Sequence, residues 1–80
     1  MAIKPEFAEA HNNLGNVLKE LGQLDDVTKC YEKAIVIKPD YAEAHYNLGG
    51  TLKELGEIGG AIKSLEKAVS INPNYGEAQH

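Results

Sequence analysis

Residues 5–38 read PEFAEAHNNLGNVLKELGQLDDVTKCYEKAIVIK, and residues 39–72 read PDYAEAHYNLGGTLKELGEIGGAIKSLEKAVSIN. The two stretches align without a gap, because the intervals from Pro5 to Pro39 and from Pro39 to Pro73 are both 34 residues. A fixed period of this size is typical of a solenoid, in which each unit is one supersecondary element that buries its apolar face against its neighbours. The sequence therefore predicts a stacked array with an extended surface in place of one deep pocket.

Each unit reads as a pair of helices. In the first unit, apolar residues at spacings of four, four and three form a single helical stripe, which consists of Ala10, Leu14, Leu18 and Leu21. Gly22 supplies the left-handed residue that ends a helix, and Pro39 stops the next one, since the residue before a proline disfavours helix. The second unit repeats this pattern. We therefore expect an all-α fold with helices at about residues 6–21, 25–37, 40–55 and 59–71.

Several residues are candidates for capping these helices. Asp25 is expected to cap the second helix and Gly59 the fourth. Capping-box spacing occurs twice, in the pairs Asp40 with Glu43 and Asn74 with Glu77.

The two units differ at two places where helices begin. Val27 stands where the second unit has Ala61, and a bulkier side chain at a close helix contact costs on the order of 1–3 kcal/mol. Gly60 lies near the start of the fourth helix, where glycine costs up to about 1 kcal/mol relative to alanine. We expect the four helices to differ in stability.

Composition narrows the classes of partner. The 80 residues carry a formal net charge of −4, which argues against nucleic acid and against anionic membranes, because both need a basic surface. No apolar run approaches the roughly 18 residues of a membrane span, and MAIKPEF lacks a signal-peptide core, so we expect a cytoplasmic protein. Cys30 is the only cysteine and cannot form an intrachain disulfide. We place it on the outward side of the second helix, as a passive surface residue.

The same spaced residues resemble the tetratricopeptide repeat. The matches are Leu14-Gly15, Gly22, Tyr31, Ala34 and Pro39 in the first unit, and Leu48-Gly49, Gly56, Ala61, Leu65, Ala68 and Pro73 in the second. The AEAHxNLG opening most resembles the arrays of O-linked N-acetylglucosamine transferases and of bacterial multi-repeat proteins.

The resemblance implies a helix-turn-helix solenoid that forms one array over residues 1–80. It contains two full repeats, at about residues 5–38 and 39–72, and the start of a third at about residues 73–80. Gly15 and Gly49 would lie where the two helices of a repeat approach closely. We expect the chain to be a piece of a longer array.

The resemblance also implies a binding surface. In such arrays the first helix of each repeat lines a concave groove that holds an extended peptide. Asn13 and Asn47 match an asparagine ladder that bonds the peptide backbone, and an amide suits that role because it donates and accepts hydrogen bonds at once. The other candidates on this surface are Asn12, Asn16, Tyr46, Lys19, Lys53, Glu9 and Glu43.

The alternative for these residues is a solvated polar face on an amphipathic helix. Asparagine is a poor helix former, however, and the first helix carries three of them at positions 12, 13 and 16. This excess over what solvation requires favours binding.

The sequence contains no phosphate-binding loop, nucleophile motif or cofactor fingerprint, and we expect neither an enzyme nor a bound cofactor. His11 and His45 occupy equivalent positions, which in stacked repeats lie about 9–10 Å apart. Because a third ligand is missing, we expect these histidines to pack between the first helices of the repeats and not to bind a metal.

The fourth helix is predicted to leave an apolar surface open, which we call the end surface. Its residues are Leu65, Val69, Ile71 and Tyr75. Such a surface predicts a homo-oligomer, formed by end-to-end stacking or by helix exchange.

The function that the sequence favours is a non-enzymatic interaction module for a protein or peptide partner. With two repeats, the groove is short and the expected affinity is micromolar or weaker. The alternatives are a structural or self-associating fragment and a substrate-presenting segment of a larger enzyme, such as a glycosyltransferase.

Overall fold

A computed structural model describes residues 5–73 of the chain, with side chains from residue 7 onward. It contains four helices: α1 (Pro5–Glu20), α2 (Leu24–Ile37), α3 (Ala42–Glu54) and α4 (Ile58–Ile71). Within this range no strand occurs. The all-α prediction is confirmed, and the predicted helix ends differ from the observed ones by at most two residues.

The helices stack in chain order, with α1 on α2, α2 on α3 and α3 on α4. The result is a pair of helical hairpins with extents of 36 × 29 × 22 Å. Two small apolar clusters hold the hairpins together, one built around Ala8, Ala34 and Ala44 and the other around Val27, Tyr31 and Leu48. Both clusters include residues of α2, so the core lies where the first hairpin meets the second.

Both hairpins turn in the same way. Gly22 and Gly56 have φ of +80° and +85°, in the left-handed region where glycine carries no Cβ penalty. At the first turn, the Gly22 N–H donates to the Lys19 carbonyl at 3.0 Å and the Gln23 N–H donates to the Leu18 carbonyl at 3.1 Å. This pair of bonds is the Schellman motif, and the second turn repeats it. The predicted helix-ending role of these glycines is confirmed.

The predicted caps of α2 and α4 are wrong. Gln23 and Glu57 precede these helices, and neither makes a side-chain capping bond. The Schellman turn leads into the next helix immediately, so that Asp25 and Gly59 already lie in the first helical turn. Asp25 is instead placed to interact favourably with the positive end of the helix dipole.

The predicted capping box of α3 is also absent. Tyr41 precedes the helix and makes no side-chain capping bond, while the Glu43 carboxylate accepts a hydrogen bond from α1. The second capping-box prediction, Asn74 with Glu77, lies outside the described residues.

Glycines allow the helices of each hairpin to come close. A Cβ at Gly15 would lie 2.7 Å from the Tyr31 ring, and one at Gly49 would lie 2.7 Å from Leu65 Cγ. Both distances are below van der Waals contact. Each glycine is therefore required by the close approach of the two helices in its hairpin.

The predicted apolar stripe holds for α3 but not for α1. Ala44 and Leu48 are buried, whereas their equivalents Ala10 and Leu14 are exposed, as is Leu21. The sequences agree, so the difference comes from neighbours. Among the described helices, α3 packs between α2 and α4, while α1 packs extensively on α2 alone and meets α3 through Ala8 and a few polar contacts.

Val27 and Cys30 both lie inside the molecule. Val27 is fully buried in the cluster with Tyr31 and Leu48. Cys30 is buried as well, so the prediction of an outward position is wrong. Cys30 lies three residues after Val27 and four before Ala34, which places all three side chains on the same helical stripe.

Candidate functional site

The candidate surface is formed by side chains of α1 and α3, and we call it the α1/α3 face. Its residues are Glu9, Asn12, Asn13, Asn16 and Lys19 on α1 and Glu43, Tyr46, Asn47 and Lys53 on α3. Contacts between the two helices join Asn12 to Glu43 and to Asn47, Asn16 to Asn47, and Lys19 to Glu54. The fold therefore brings most of the predicted residues into one polar strip.

Asn47 is the central residue of this strip. Its half-buried amide donates through Nδ2 to Asn12 Oδ1 at 3.2 Å and to Asn16 Oδ1 at 3.5 Å. Both bonds use the amide nitrogen. Within the described part of the chain, no group donates to Asn47 Oδ1, so this oxygen is left as a hydrogen-bond acceptor.

Asn12 differs from the predicted arrangement, because its side chain is fully buried and has no surface for a ligand. Its Nδ2 donates to Glu43 Oε2 at 2.8 Å. A carboxylate only accepts hydrogen bonds, which requires the Asn12 nitrogen to face Glu43 and its oxygen to face Asn47. Glu43 thus sets the orientation of both amides, and its role is to hold Asn47 in place.

Tyr31 is a further member of the site that the sequence did not predict. Its hydroxyl donates to Asn16 Oδ1, the same oxygen that accepts from Asn47. Burial raises the pKa of Tyr31 to about 12, with smaller contributions from Glu43 and Cys30. The hydroxyl therefore keeps its proton at neutral pH and remains a donor.

One signal in the sequence could have identified Tyr31. At the equivalent positions, the first repeat pairs Asn16 with Tyr31, whereas the second pairs Gly50 with Leu65. Of these two pairs, only the one in the first repeat combines a hydroxyl with an amide that can accept its hydrogen bond. Comparing the two units position by position would have suggested this contact.

Asn13 and Glu9 lie at the outer edge of the strip. Asn13 is exposed, and its side chain bonds to no other residue in the described range, although it is the repeat equivalent of Asn47. Glu9 is exposed as well. Its charge, together with that of Glu43, adds to the effect of burial in raising the pKa of Tyr41.

The two lysines of the face differ in their surroundings. Lys19 Nζ lies 3.5 Å from Glu54 Oε1 and close to Gly50, at 3.8 Å from where a Cβ would stand. Lys53, its repeat equivalent on α3, is exposed. Tyr46 is half-buried and takes part in an interaction of its own. One of the two positive charges is thus already paired within the fold.

The two histidines of the repeats lie partly or fully inside the molecule. His45 is buried, and its Nε2–H donates to the Pro39 carbonyl at 2.9 Å, which ties α3 to the loop before it. His11 is half-buried. In the described range, no group of three or more His, Cys, Asp or Glu residues is placed to hold a metal ion.

None of the described helices is long and apolar enough to cross a bilayer.

An open apolar groove of about 550 Å³ lies on α4 and is lined by Ile62, Leu65, Glu66, Val69 and Ser70. Of the predicted end-surface residues, half-buried Leu65 and exposed Val69 line this groove. Ile71 is half-buried and does not line it, and Tyr75 lies outside the described residues.

A family model described as a TPR repeat matches residues 15–56, and one described as a tetratricopeptide repeat matches residues 42–75. A search of curated proteins found no match. Among solved structures, the crystal structure of MamA superposes with a TM-score of 0.80 at 30% sequence identity over 89% of this chain. The chain spans 42% of the length of that structure.

The family matches together run from the middle of α1 to the end of α4, and the superposition supports the same helical stacking. The spaced residues of the two repeats, the paired Schellman turns and the close glycine contacts agree with this result. The chain is therefore a member of the tetratricopeptide repeat family.

Proposed function

We propose that the chain is a protein-interaction module whose α1/α3 face binds the backbone of an extended peptide. Tetratricopeptide repeats are generally protein-interaction modules. We propose that its two repeats comprise about residues 5–38 and 39–72, and that a third begins at about residues 73–80. The observation that carries the proposal is the amide of Asn47, which is held in one orientation by Asn12 and Asn16.

The orientation of the Asn47 amide determines which group of a peptide it can bind. Because Asn47 Nδ2 already donates within the fold, its Oδ1 is the atom offered to a ligand. A peptide N–H would donate to that oxygen. Preorganised groups bind with a smaller entropy cost than free ones, so Asn47 should contribute more than the unsupported Asn13.

The AEAHxNLG resemblance to the arrays of O-linked N-acetylglucosamine transferases supports a ladder of this kind. We further propose that the module itself is non-enzymatic, and that the amides at the centre of its polar strip, which a buried tyrosine supports, serve for binding. If the parent is a glycosyltransferase, the same face would present protein substrates to its catalytic domain.

The test is a binding measurement with selected peptides. Peptides are first selected on the wild-type chain from a displayed library of random sequences. Their binding is then titrated against wild type, Asn47→Ala and Asn13→Ala by fluorescence polarisation. We expect Asn47→Ala to weaken binding about tenfold, as for the loss of one oriented hydrogen bond, and Asn13→Ala to weaken it less.

The control is Gln23→Ala, which removes an exposed amide in the turn between α1 and α2, where the side chain makes no capping bond. This variant should bind as the wild type does. Equal binding by Asn47→Ala and wild type would show that the selected peptides do not use the α1/α3 face. A library that yields no binder would remove the peptide-binding proposal itself.

A further inference from the structure

We propose that the groove on α4 binds helix α1 of a second copy of this chain, so that copies associate head to tail. The contact lies at the ends of the helix stack and, apart from Lys53, uses no residue of the α1/α3 face, so it is independent of peptide binding. A second copy is the expected occupant because the molecule already contains a template for the contact.

The template is the packing of α3 on α2 within one chain. There, Leu48 of α3 lies in one cluster with Tyr31 and Ile35 of α2. Because the repeats are equivalent, α4 of one copy corresponds to α2, and α1 of the second copy corresponds to α3. Leu65 and Val69 then stand at the positions of Tyr31 and Ile35. Leu14 of the second copy stands at the position of Leu48.

The exposed apolar side chains agree with this pairing. Leu14 is 49% exposed and Val17 is 54% exposed, whereas their equivalents Leu48 and Thr51 are 8% and 0% exposed under α2. On the other side, Val69 is 48% exposed in the groove of α4. Docking α1 of a second copy on α4 would cover both sets of side chains at once, which is the driving force for association.

Charge complementarity supports the same orientation. Within the chain, Lys19 pairs with Glu54 across α1 and α3 at 3.5 Å. Lys53 is the repeat equivalent of Lys19, and Glu20 is the equivalent of Glu54, so docking pairs Lys53 with Glu20 of the second copy. Both residues are exposed in the single chain. The ends of the stack therefore carry a lysine and a glutamate that can form the same ion pair between two copies as Lys19 and Glu54 form within one chain.

This contact does not close on itself. Two different surfaces meet, so each association leaves one free α1 and one free α4, and the assembly can grow. The expected products are open chains of increasing length. A symmetric dimer formed by helix exchange would stop at two copies.

The decisive experiment mixes two variants, each damaged at one end. Val69→Glu places a carboxylate in the α4 groove, and Leu14→Glu places one on α1. Each variant alone should associate at least about tenfold more weakly than wild type, because an unpaired charge would be buried in the contact. Circular dichroism of each variant checks that it is folded.

Mixed in equal amounts, the two variants should form a one-to-one dimer that grows no further. The intact α1 of the Val69→Glu chain binds the intact α4 of the Leu14→Glu chain, and the damaged ends stop extension. Sedimentation velocity, with one variant fluorescently labelled, measures the size of the product. The control is Val36→Glu, an exposed position on α2 away from both ends, which should associate as wild type does.

The ion pair gives an independent test of orientation. Lys53→Glu alone and Glu20→Lys alone should each weaken association by a few fold, and an equimolar mixture of the two should recover it, because the exchanged pair is again complementary. Either of two results would overturn the proposal. One is a wild-type chain that sediments as a monomer at every concentration, and the other is a Val69→Glu and Leu14→Glu mixture that remains monomeric.

Discussion

Helices α1 and α3 have nearly the same sequence but different environments. Ala10 and Leu14 of α1 are exposed, while Ala44 and Leu48 of α3 are buried between α2 and α4. The contribution of a repeat residue to stability thus depends on how many helices pack against its own helix. Substituting equivalent residues in the two repeats separates the effect of the side chain from the effect of its surroundings.

The largest difference is expected between Leu48→Ala and Leu14→Ala. Leu48 is buried, so its truncation should lower the free energy of unfolding by about 2–4 kcal/mol. Leu14 is half-exposed, and the same change there should cost less than about 1 kcal/mol. Urea denaturation at low protein concentration, where copies do not associate, measures both values. Equal costs would contradict the role given to neighbouring helices.

The next comparison concerns the close glycine contacts. Gly15→Ala should destabilise the chain by about 1–3 kcal/mol, because its Cβ would lie 2.7 Å from the ring of fully buried Tyr31. Gly49→Ala should cost less, since Leu65 opposite it is only half-buried and can change rotamer, which leaves the Ala61 carbonyl, 3.2 Å from the added Cβ, as the remaining tight contact. Thermal unfolding of the two variants side by side checks the order. The reverse order would mean that the second hairpin is the more tightly packed of the two.

Tyr31→Phe tests the polar contact that only the first repeat has. It removes the hydroxyl that donates to Asn16 and should cost about 1 kcal/mol at neutral pH. It should also change the response to alkali. The folded pKa of Tyr31, about 12, exceeds the ordinary value of 10.0, so its contribution is complete below about pH 10 and is lost as the pH rises towards 12.

The measurement is the free energy of unfolding from pH 8 to about pH 12 for wild type and Tyr31→Phe. Every other ionisable group is common to both proteins, so its effect cancels in the difference. The wild type should lose its advantage over the variant above about pH 10. A difference that is constant with pH would contradict the raised pKa.

The smallest effect is expected at the start of α4. Gly59 occupies the position that Asp25 has in α2, and a Cβ there would meet no other atom within 4 Å. Gly59→Asp should stabilise the chain by about 0.5–1 kcal/mol, through better helix propensity and a favourable charge at the helix N-terminus. Gly60→Asp should gain less, because its Cβ would lie 3.2 Å from Leu52 Cδ1. Thermal unfolding distinguishes the two, and equal gains would mean that Leu52 moves aside freely.

The sequence was sufficient to predict the fold because its signals are local. The apolar spacing of α3 and the glycines at the two turns each act within one hairpin, and the repeat period extends the same prediction from one hairpin to the other. The predicted caps failed because the Schellman bonds at Gly22 lead the chain directly into α2, which moves Asp25 into the helix. The exposure of Leu14 was also not predicted, since it depends on which helices lie beside α1.

The candidate site was predicted only in outline. Residue positions on the first helices of the repeats were enough to group the polar residues on one face. The burial of Asn12 and the orientation of Asn47 depend on contacts between α1 and α3, more than thirty residues apart in the chain. Single-residue preferences do not contain that information. The hydroxyl of Tyr31 reaches the site from α2, a helix that the family resemblance does not associate with binding.

The buried Cys30 has a practical consequence for the kinetics of this molecule. It is the only thiol, and it lies on α2, the helix that joins both apolar clusters. A thiol reagent in solution can react with it only while α2 is open, so the labelling rate measures how often that helix opens in otherwise native conditions. If the opening free energy obtained in this way equals that of global unfolding, the two repeats unfold as one cooperative unit. The chain thus carries a built-in reporter of whether its repeats open separately or together.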